Sequence, residues 1–191
     1  MPVSVIPFNM PEPVEIPDHI SAMLRQLTPH EAARRAMELL LEIDVAETIL
    51  YEHIDEAGDV RVGHVVSGDP GRATELEVLL QGEERGAEPG SQTGNSLASA
   101  ALEQGSTLLV MGQAEAGTET SLPAGLRDFL LAGEQEGSIG FVYVLTLSGE
   151  GERPCGALTL IRSASSGPLN HEQPNIAEAV RRELGAILSA R

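Results

Sequence analysis

Few side chains in this sequence are suited to covalent or redox chemistry. The single cysteine, Cys155, has no second thiol with which to form or resolve a disulfide, so we expect no thiol redox cycle. All twelve basic residues are arginine, which excludes a lysine Schiff base and the lysine of a phosphate-binding loop. The Gly-x-Ser-x-Gly pattern of a hydrolase nucleophile is also absent. We therefore predict no catalytic residue, and an enzyme of small-molecule metabolism is only the third hypothesis about function.

The five histidines do not have the spacing of a metal site. They are His19, His30, His53, His64 and His171. No pair has the helical spacing that a zinc peptidase needs, and we predict no metal site. We expect His64 to face inward. In a regular strand it shares one face with Val60, Val62 and Val66. A structural histidine is the simpler interpretation, and a ligand or a pH-sensing residue is the alternative.

Four residues are candidates for binding a ligand: His64, Met111, Arg127 and Tyr143. Met111 ends a predicted strand, and Arg127 lies in a short predicted helix, where a guanidinium could bind a phosphate. The alternative for Arg127 is an exposed helix residue beside Asp128. The alternative for Tyr143 is a place in the core, where strand aromatics are common. No cofactor can be assigned from these residues.

The charge of the chain disfavours nucleic acid as a partner. The 29 acidic and 12 basic residues give a formal net charge of -17, which repels a phosphate backbone. No apolar run has transmembrane length, and no basic segment precedes an apolar one at the N-terminus, so we expect a cytoplasmic protein that does not bind membranes. The acidity fits either a salt-rich cytoplasm or a GC-rich genome with an acidic bias.

Proline content divides the chain into two parts. Residues 1–17 hold five prolines, and we expect an extended arm outside the sheet. Residues 18–191 are predicted to form a single domain. A helix is predicted to begin at Pro29, because Thr28 and Glu31 have the spacing of a capping box. The segment Ser67–Gly94 is rich in glycine and acidic residues, so we expect a long surface excursion with one short buried element at Leu76–Leu80.

The remaining elements follow from hydrophobic periodicity and turn residues. The predicted helices are an apolar stripe from Ile20 to Leu27, then Glu31–Ile43, Asn95–Glu103, Pro123–Leu131 and a last helix from Asn170. The predicted strands are Val45–Ile54, Val60–Val66, Thr107–Met111, Ile139–Leu147 and Gly156–Arg162. Between them, Gly112–Ser121 is predicted to be a mobile loop.

The last third of the chain carries a recognisable order of elements. Ile139–Leu147, a polar turn, Cys155–Ile161 and the helix from Asn170 resemble the closing strand, turn, strand and helix of the GAF domain family. Ser96–Gly105 followed by Ser106–Val110 is similar to the helix, glycine and short strand that precede the variable loop of that family. These motifs consist of apolar residues and glycines, so they indicate a fold rather than a function.

The resemblance, which extends from about Thr28 to the C-terminus, implies a GAF/PAS-like mixed α/β (α+β) fold. It implies a central antiparallel sheet of about five or six strands, with the N- and C-terminal helices on one face and short helices and loops over a pocket on the other. It also implies that the terminal helices pair two subunits into a homodimer. The family includes cyclic-nucleotide binders, bilin carriers and methionine sulfoxide reductases, but one cysteine and no lysine suit none of these chemistries.

Two hypotheses about function therefore lead. The first is a sensor or regulatory domain that binds an unidentified small molecule beneath Gly112–Ser121 and acts through a dimer mate or a signalling partner protein. The alternative is a dimerisation or protein-interaction module that has no ligand pocket.

Overall fold

The computed structural model describes residues 4–7, 9, 11–86, 97–104, 108–113, 138–149, 151, 153–163 and 165–190. Its centre is a six-stranded antiparallel sheet with the order β1-β4-β5-β6-β2-β3. The strands are β1 (Ser4–Pro7), β2 (Thr48–Ile54), β3 (Val60–Ser67), β4 (Leu108–Gln113), β5 (Ser138–Leu147) and β6 (Gly156–Arg162). The predicted antiparallel sheet is confirmed.

Five described helices cover the two faces of this sheet. They are α1 (Asp18–Gln26), α2 (Pro29–Glu42), α3 (Pro70–Gly86), α4 (Leu97–Gln104) and α5 (Gln173–Ser189). The N-terminal α1 and α2 and the C-terminal α5 pack together on one face, which we call the terminal-helix face. The helices α3 and α4 cover the other, the α3–α4 face. This arrangement confirms the predicted GAF-like fold class.

The start of α2 is fixed by the predicted capping box. The Thr28 side chain accepts a hydrogen bond from the Glu31 backbone N–H, and the Glu31 carboxylate accepts one from the Thr28 backbone N–H at 3.0 Å. Pro29 occupies the first helical position, where its missing N–H costs nothing. The apolar face of α2 is fully buried at Met37 and Leu40. Local sequence therefore sets where this helix begins, and burial holds it on the sheet.

The expected surface excursion after Ser67 is wrong over most of its length, because Pro70–Gly86 is a helix. Asp69 opens it by accepting a hydrogen bond from the Gly71 N–H at 2.8 Å. Leu76 and Leu80, four residues apart, are buried against the sheet. The predicted buried element at Leu76–Leu80 is therefore present. It is the buried stripe of a longer helix, which continues on both sides of it.

The first residues of the chain correct a second expectation. Ser4–Pro7 form an edge strand of the sheet, with Ser4 opposite Met111 and Pro7 opposite Leu108 in β4. Proline is tolerated there because an edge strand leaves some N–H groups unpaired. The Pro-rich arm is therefore not wholly outside the sheet, and the boundary between residues 17 and 18 stays a prediction.

A β-bulge at Gly63 reverses the faces of β3. Tyr51 lies opposite His64, but the next residue of β2, Glu52, lies opposite Val62. Gly63 is the extra residue, so Val62 faces the α3–α4 side while His64 faces the terminal-helix side. The expectation that His64 shares a face with Val62 is wrong, because one inserted residue shifts the alternation of side chains.

One stripe of α5 is attached to the end of β5. Arg181 donates a hydrogen bond to the Thr146 carbonyl at 2.9 Å, and the Ser189 hydroxyl accepts one from the Gly149 N–H at 2.7 Å. Between them, a Cβ placed on Gly185 would lie 2.9 Å from the backbone N and C of Ser148. Residues 181, 185 and 189 lie on one helix face, so α5 is held along two turns.

The helix predicted to begin at Asn170 begins three residues later. The Asn170 side chain accepts hydrogen bonds from the N–H groups of Glu172 and Gln173, and Gln173 accepts one from the Asn170 N–H. The predicted loop Gly112–Ser121 lies outside the described residues beyond Gln113, where β4 ends. The predicted helix Pro123–Leu131 also lies outside them.

Replacing Gly63 with alanine is expected to destabilise the fold by about 1 to 3 kcal/mol, because the new Cβ must displace a packed ring. That Cβ would lie 2.6 Å from Cδ1 and 2.8 Å from Cε1 of Tyr51. In the control Gly68→Ala, the nearest atom is 4.0 Å away, so this variant should be unchanged or up to about 1 kcal/mol more stable. Urea unfolding measures both, and equal stabilities would contradict the crowding at the bulge.

Candidate functional site

Three polar side chains surround a small one on the α3–α4 face. Ala157 of β6 lies opposite Glu52 of β2 and opposite Thr146 of β5, and Thr159 is two residues further along β6. Side chains directly opposite one another are about 5 Å apart at Cβ, and diagonal ones about 7 Å. All are buried, with exposed fractions of 6% for Glu52, 5% for Thr146 and 1% for Thr159. We call these four residues the polar notch.

Alternation along the central strands places these residues together. Every residue of β6 is buried, and Leu158 and Leu160 join the core of the terminal-helix face. Ala157 and Ile161 therefore face the opposite side with Thr159 between them. In β5 the same alternation places Tyr143, Leu145 and Leu147 on the terminal-helix face. Thr146 therefore lies on the α3–α4 face. Each polar residue thus occupies a position that the strand pattern buries.

The hydroxyl of Thr159 is the most informative atom of the polar notch. Its Oγ1 is buried and has no hydrogen-bond partner among the residues that the structure describes. By contrast, Thr48 of β2, which is buried on the same face of the sheet as Thr159, has its hydroxyl 2.9 Å from the Ser67 hydroxyl. A buried hydroxyl without a partner costs about 1 to 3 kcal/mol, so a protein rarely keeps one without a use. A bound molecule with a hydrogen-bonding group would satisfy it.

The helices above the notch present small side chains. Ala98 and Ala101 of α4 are fully buried in the same core cluster, and α4 packs on β5 and β6. Ser99 of α4 is 7% exposed. A carboxylate and several hydroxyls in an otherwise apolar layer suit recognition of a small polar molecule. Within the described ranges, no group of three or more His, Cys, Asp or Glu residues is arranged to hold a metal ion.

Two of the predicted ligand-binding residues face away from the polar notch. His64 is half-buried on the terminal-helix face, where its Nε2 lies 3.1 Å from the His30 carbonyl. Tyr143 is 2% exposed in the core of that face, and its hydroxyl accepts a hydrogen bond from the Leu169 N–H at 3.1 Å. The structure places both in packing contacts with the terminal-helix layer.

Of the other two predicted ligand-binding residues, one lies in a strand of the sheet and one lies outside the described residues. Met111 is in β4, with Ser4 and Phe141 as its neighbours in register. Arg127 lies outside the described residues. The four candidates are therefore not brought together as one described site.

The sequence analysis missed the polar notch, although a signal for it exists. Glu52, Thr146 and Thr159 each interrupt a mainly apolar face of a predicted strand. Polar residues at buried strand positions are unusual unless they are hydrogen-bonded or functional. That signal becomes specific only when the register shows that all three surround Ala157.

The comparisons with known proteins concern the fold alone. No family model matches the sequence, and no curated protein matches it. The structure is similar to the GAF domain of a predicted sensor histidine kinase from Pseudomonas syringae pv. tomato, with 16% identity and a TM-score of 0.49 over 90% of this chain and 81% of that one. A domain of a predicted two-component sensor histidine kinase from Sinorhizobium meliloti 1021 is similar with 13% identity and a TM-score of 0.49. The match covers 81% of this chain and 86% of that one. Likenesses of this size say nothing about ligand or partner.

The order of the strands and the two helical layers define this protein as a mixed α/β domain with a central antiparallel sheet, the architecture that the resemblance to GAF domains implies. Among the helices that the structure describes, none has both the length and the apolar character needed to cross a membrane.

Replacing Thr159 with valine is expected to stabilise the ligand-free protein by about 1 to 2 kcal/mol, because it removes a buried hydroxyl that has no partner. For a chain of this length that corresponds to a rise of roughly 2 to 8 °C in the melting temperature. The matched control Thr48→Val removes the hydrogen bond to Ser67 and should cost about 1 kcal/mol. Thermal unfolding measures both, and destabilisation by Thr159→Val would show that its hydroxyl is satisfied in the protein.

Proposed function

We propose that this chain is a sensor or regulatory domain that binds a small polar molecule at the polar notch. The observation that carries the proposal is the buried Thr159 hydroxyl without a partner, in a layer that also holds the Glu52 carboxylate. We place the protein in the cytoplasm, a compartment that suits its single cysteine.

The chemistry of the notch favours a ligand that donates hydrogen bonds. Carboxylates accept hydrogen bonds, and threonine hydroxyls both donate and accept them. Glu52 carries a negative charge when ionised, in a chain whose net charge is already -17. An amine or an alcohol therefore suits this face better than a carboxylate or a phosphate.

The notch has a direct connection to α5. The backbone carbonyl of Thr146 accepts the hydrogen bond from Arg181, while the Thr146 side chain lies in the notch. Arg181 is fixed in turn by two hydrogen bonds to Glu178, at 2.6 and 2.7 Å. A ligand that displaces β5 would therefore change a contact of the C-terminal helix. This contact is our proposed route from binding to a partner or dimer mate.

Glu178 makes that contact rigid. Its side chain is 3% exposed and accepts hydrogen bonds from Arg181 and from Arg182. Burial by itself would raise the pKa of Glu178, but the two guanidinium groups outweigh it, and the pKa is lowered. The carboxylate therefore stays ionised and holds Arg181 on the Thr146 carbonyl at neutral pH.

The ligand class can be tested with two small probes of opposite charge. Ethanolamine carries an amine and a hydroxyl, and glycolate carries a carboxylate and a hydroxyl. In amide NMR spectra, ethanolamine should shift β5 and β6 signals near Ala157, glycolate should shift them less, and Thr159→Val should weaken ethanolamine binding by about tenfold, the effect of one lost hydrogen bond. Thr48→Val is the control and should bind as the wild type does.

Mass spectrometry of gently purified protein provides the second measurement, because a tight natural ligand should co-purify. A co-purifying amine or alcohol that is absent from Thr159→Val would support the proposal. No co-purifying molecule, together with unshifted NMR signals and no thermal shift across metabolites, would contradict it and favour an interaction module without a ligand.

A dimerisation module is the second candidate function, because two grooves flank α5 on its outer side. One, of about 460 Å³, is lined by residues 13–16 of the arm, by α1 and by Arg182 of α5. The other, of about 440 Å³, lies between the end of α1 and residues Ala186 and Ile187 of α5. Val14, beside the first groove, is 45% exposed. A second copy that packs its own α1 and α5 here would cover both grooves.

Replacing Ala186 with arginine is expected to weaken such a dimer at least about tenfold, because a long charged side chain would fill the second groove. The control Ala57→Arg adds the same charge at an exposed position of the β2–β3 turn. Light scattering over a range of concentrations measures the mass, with a chain lacking residues 1–17 as a further comparison. Monomers in the full-length and the shortened chain alike would exclude the dimer.

A further inference from the structure

Three histidines meet on the terminal-helix face, on the opposite side of the sheet from the polar notch. His30 lies near the start of α2, His53 in β2 and His64 in β3, and all three contact the ring of Tyr51. The His53 and His64 rings stack on Tyr51, with interplanar angles of 26° and 27°. The His30 ring stands nearly perpendicular to both, with ring centres 5.2 Å from His53 and 5.9 Å from His64. We call these residues the histidine cluster.

The Gly63 bulge is what assembles the histidine cluster. If Gly63 were a regular position of the strand, His64 would lie on the α3–α4 face together with Val62. Gly63 has no side chain, so the Tyr51 ring can lie against its backbone. The β-bulge at Gly63 therefore allows the His64 ring to stack on the Tyr51 ring.

The hydrogen bonds of the cluster suit neutral imidazoles. The Nδ1 atom of His53 is buried, and no hydrogen-bond partner for it lies in the described part of the chain. Protonation there would bury an N–H without an acceptor and add a charge. The Nε2 atom of His64 lies 3.1 Å from the His30 carbonyl, which can only accept, so Nε2 carries the proton of the neutral ring. A second proton would again add a charge beside the other rings.

The charged groups around His53 come from three elements. Burial lowers the pKa of the His53 imidazole, and the nearby His30 of α2 lowers it further. Asp55, the first residue after β2, acts in the opposite direction. His64 and Arg61 of β3 again lower the pKa, and the net shift is downward.

The charged groups around His64 include one from α3. Burial lowers the pKa of the His64 imidazole, although its hydrogen bond to the His30 carbonyl acts to raise it. His30 and Arg34 of α2 lower the pKa, whereas Glu77 of α3 raises it. The net shift is again downward, so both rings resist protonation in the folded protein.

We infer that the histidine cluster is a pH-sensitive contact, which loosens the packing of α2 against the β2–β3 hairpin when the surroundings become mildly acidic. A free histidine has a pKa of about 6.5, so the unfolded chain takes up protons first as the pH falls. Stability is therefore complete above about pH 6.5 and is lost as the pH decreases towards the lower pKa values of the folded state. The positive charge that His53 and His64 then gain lies beside the start of α2, and a helix N-terminus disfavours positive charge.

Urea unfolding of the full chain at about pH 7.5 and about pH 5.5, with a chelator present, tests this contact. We expect the folding equilibrium constant of the wild type to fall at least about threefold between the two conditions. His53→Leu should retain about half of that fall or less, because it removes one titrating ring. His171→Gln is the control, since the His171 side chain is 90% exposed and outside the cluster, and it should show the whole fall.

A local measurement distinguishes the contact from general acid sensitivity and does not depend on the variants' stability. In the wild type, the NMR resonances of His53 and His64 should titrate at lower pH than the imidazole of a histidine in an unstructured peptide. Amide exchange, corrected for its intrinsic pH dependence, should accelerate first in β3 and in the start of α2. His64→Gln, which keeps a donor for the His30 carbonyl, should reduce this acceleration.

Three results would overturn the inference. The first is a wild-type stability that does not change over this pH range. The second is a His53→Leu variant whose folding equilibrium constant falls between the two pH values as much as that of His171→Gln. The third is a rise in stability with added Zn²⁺ that His53→Leu abolishes, since it would assign the cluster to a metal.

Discussion

The arrangement of the terminal-helix layer depends on one buried guanidinium. Arg162, at the end of β6, is 4% exposed, and its four hydrogen bonds all go to backbone carbonyls. Two of these carbonyls, of Asp44 and Val45, belong to the turn between α2 and β2, and two belong to the turn that precedes α5. The amide of Gln173, the first residue of α5, also donates to the Asp44 carbonyl at 2.7 Å. A single side chain thus connects the end of α2, the central strand and the segment before α5. Its charge is balanced by backbone carbonyl dipoles rather than by a carboxylate.

The two faces of the sheet have separate chemistry that meets at one point of β2. Tyr51 points to the histidine cluster, and the adjacent Glu52 points to the polar notch. The bulge in β3 lies opposite the bond between these two residues. A change in the geometry of the bulge therefore reaches both faces, although the groups on them are separated by the sheet. Local unfolding and ligand binding can be coupled at such a point without any change in the strand order.

The parts of the fold that the sequence predicts are those fixed by neighbours along the chain. Thr28 and Glu31 make the capping box within one helical turn, and Gly58, with φ of 88°, closes the β2–β3 turn as its position suggests. The bulge at Gly63 is different, because its cause is the Tyr51 ring on another strand. The same holds for Thr159, whose hydroxyl becomes significant only through its neighbours in β2 and β5. Both features depend on contacts between residues that are distant in the sequence. The pattern of residues within one strand does not predict such contacts.

The stripe of α5 attached to β5 limits how that helix can move. Rotation about its own axis would remove Arg181 from Thr146 and Ser189 from Gly149, and would drive side chains into the space that only Gly185 leaves for Ser148. Sliding along the axis would break the same hydrogen bonds. The motion that preserves all three attachments is a tilt in which α5 and the β5–β6 hairpin move as one rigid lever. The outer end of such a lever travels further than its base, so a sub-ångström change at the sheet becomes a larger displacement at the surface of the helix.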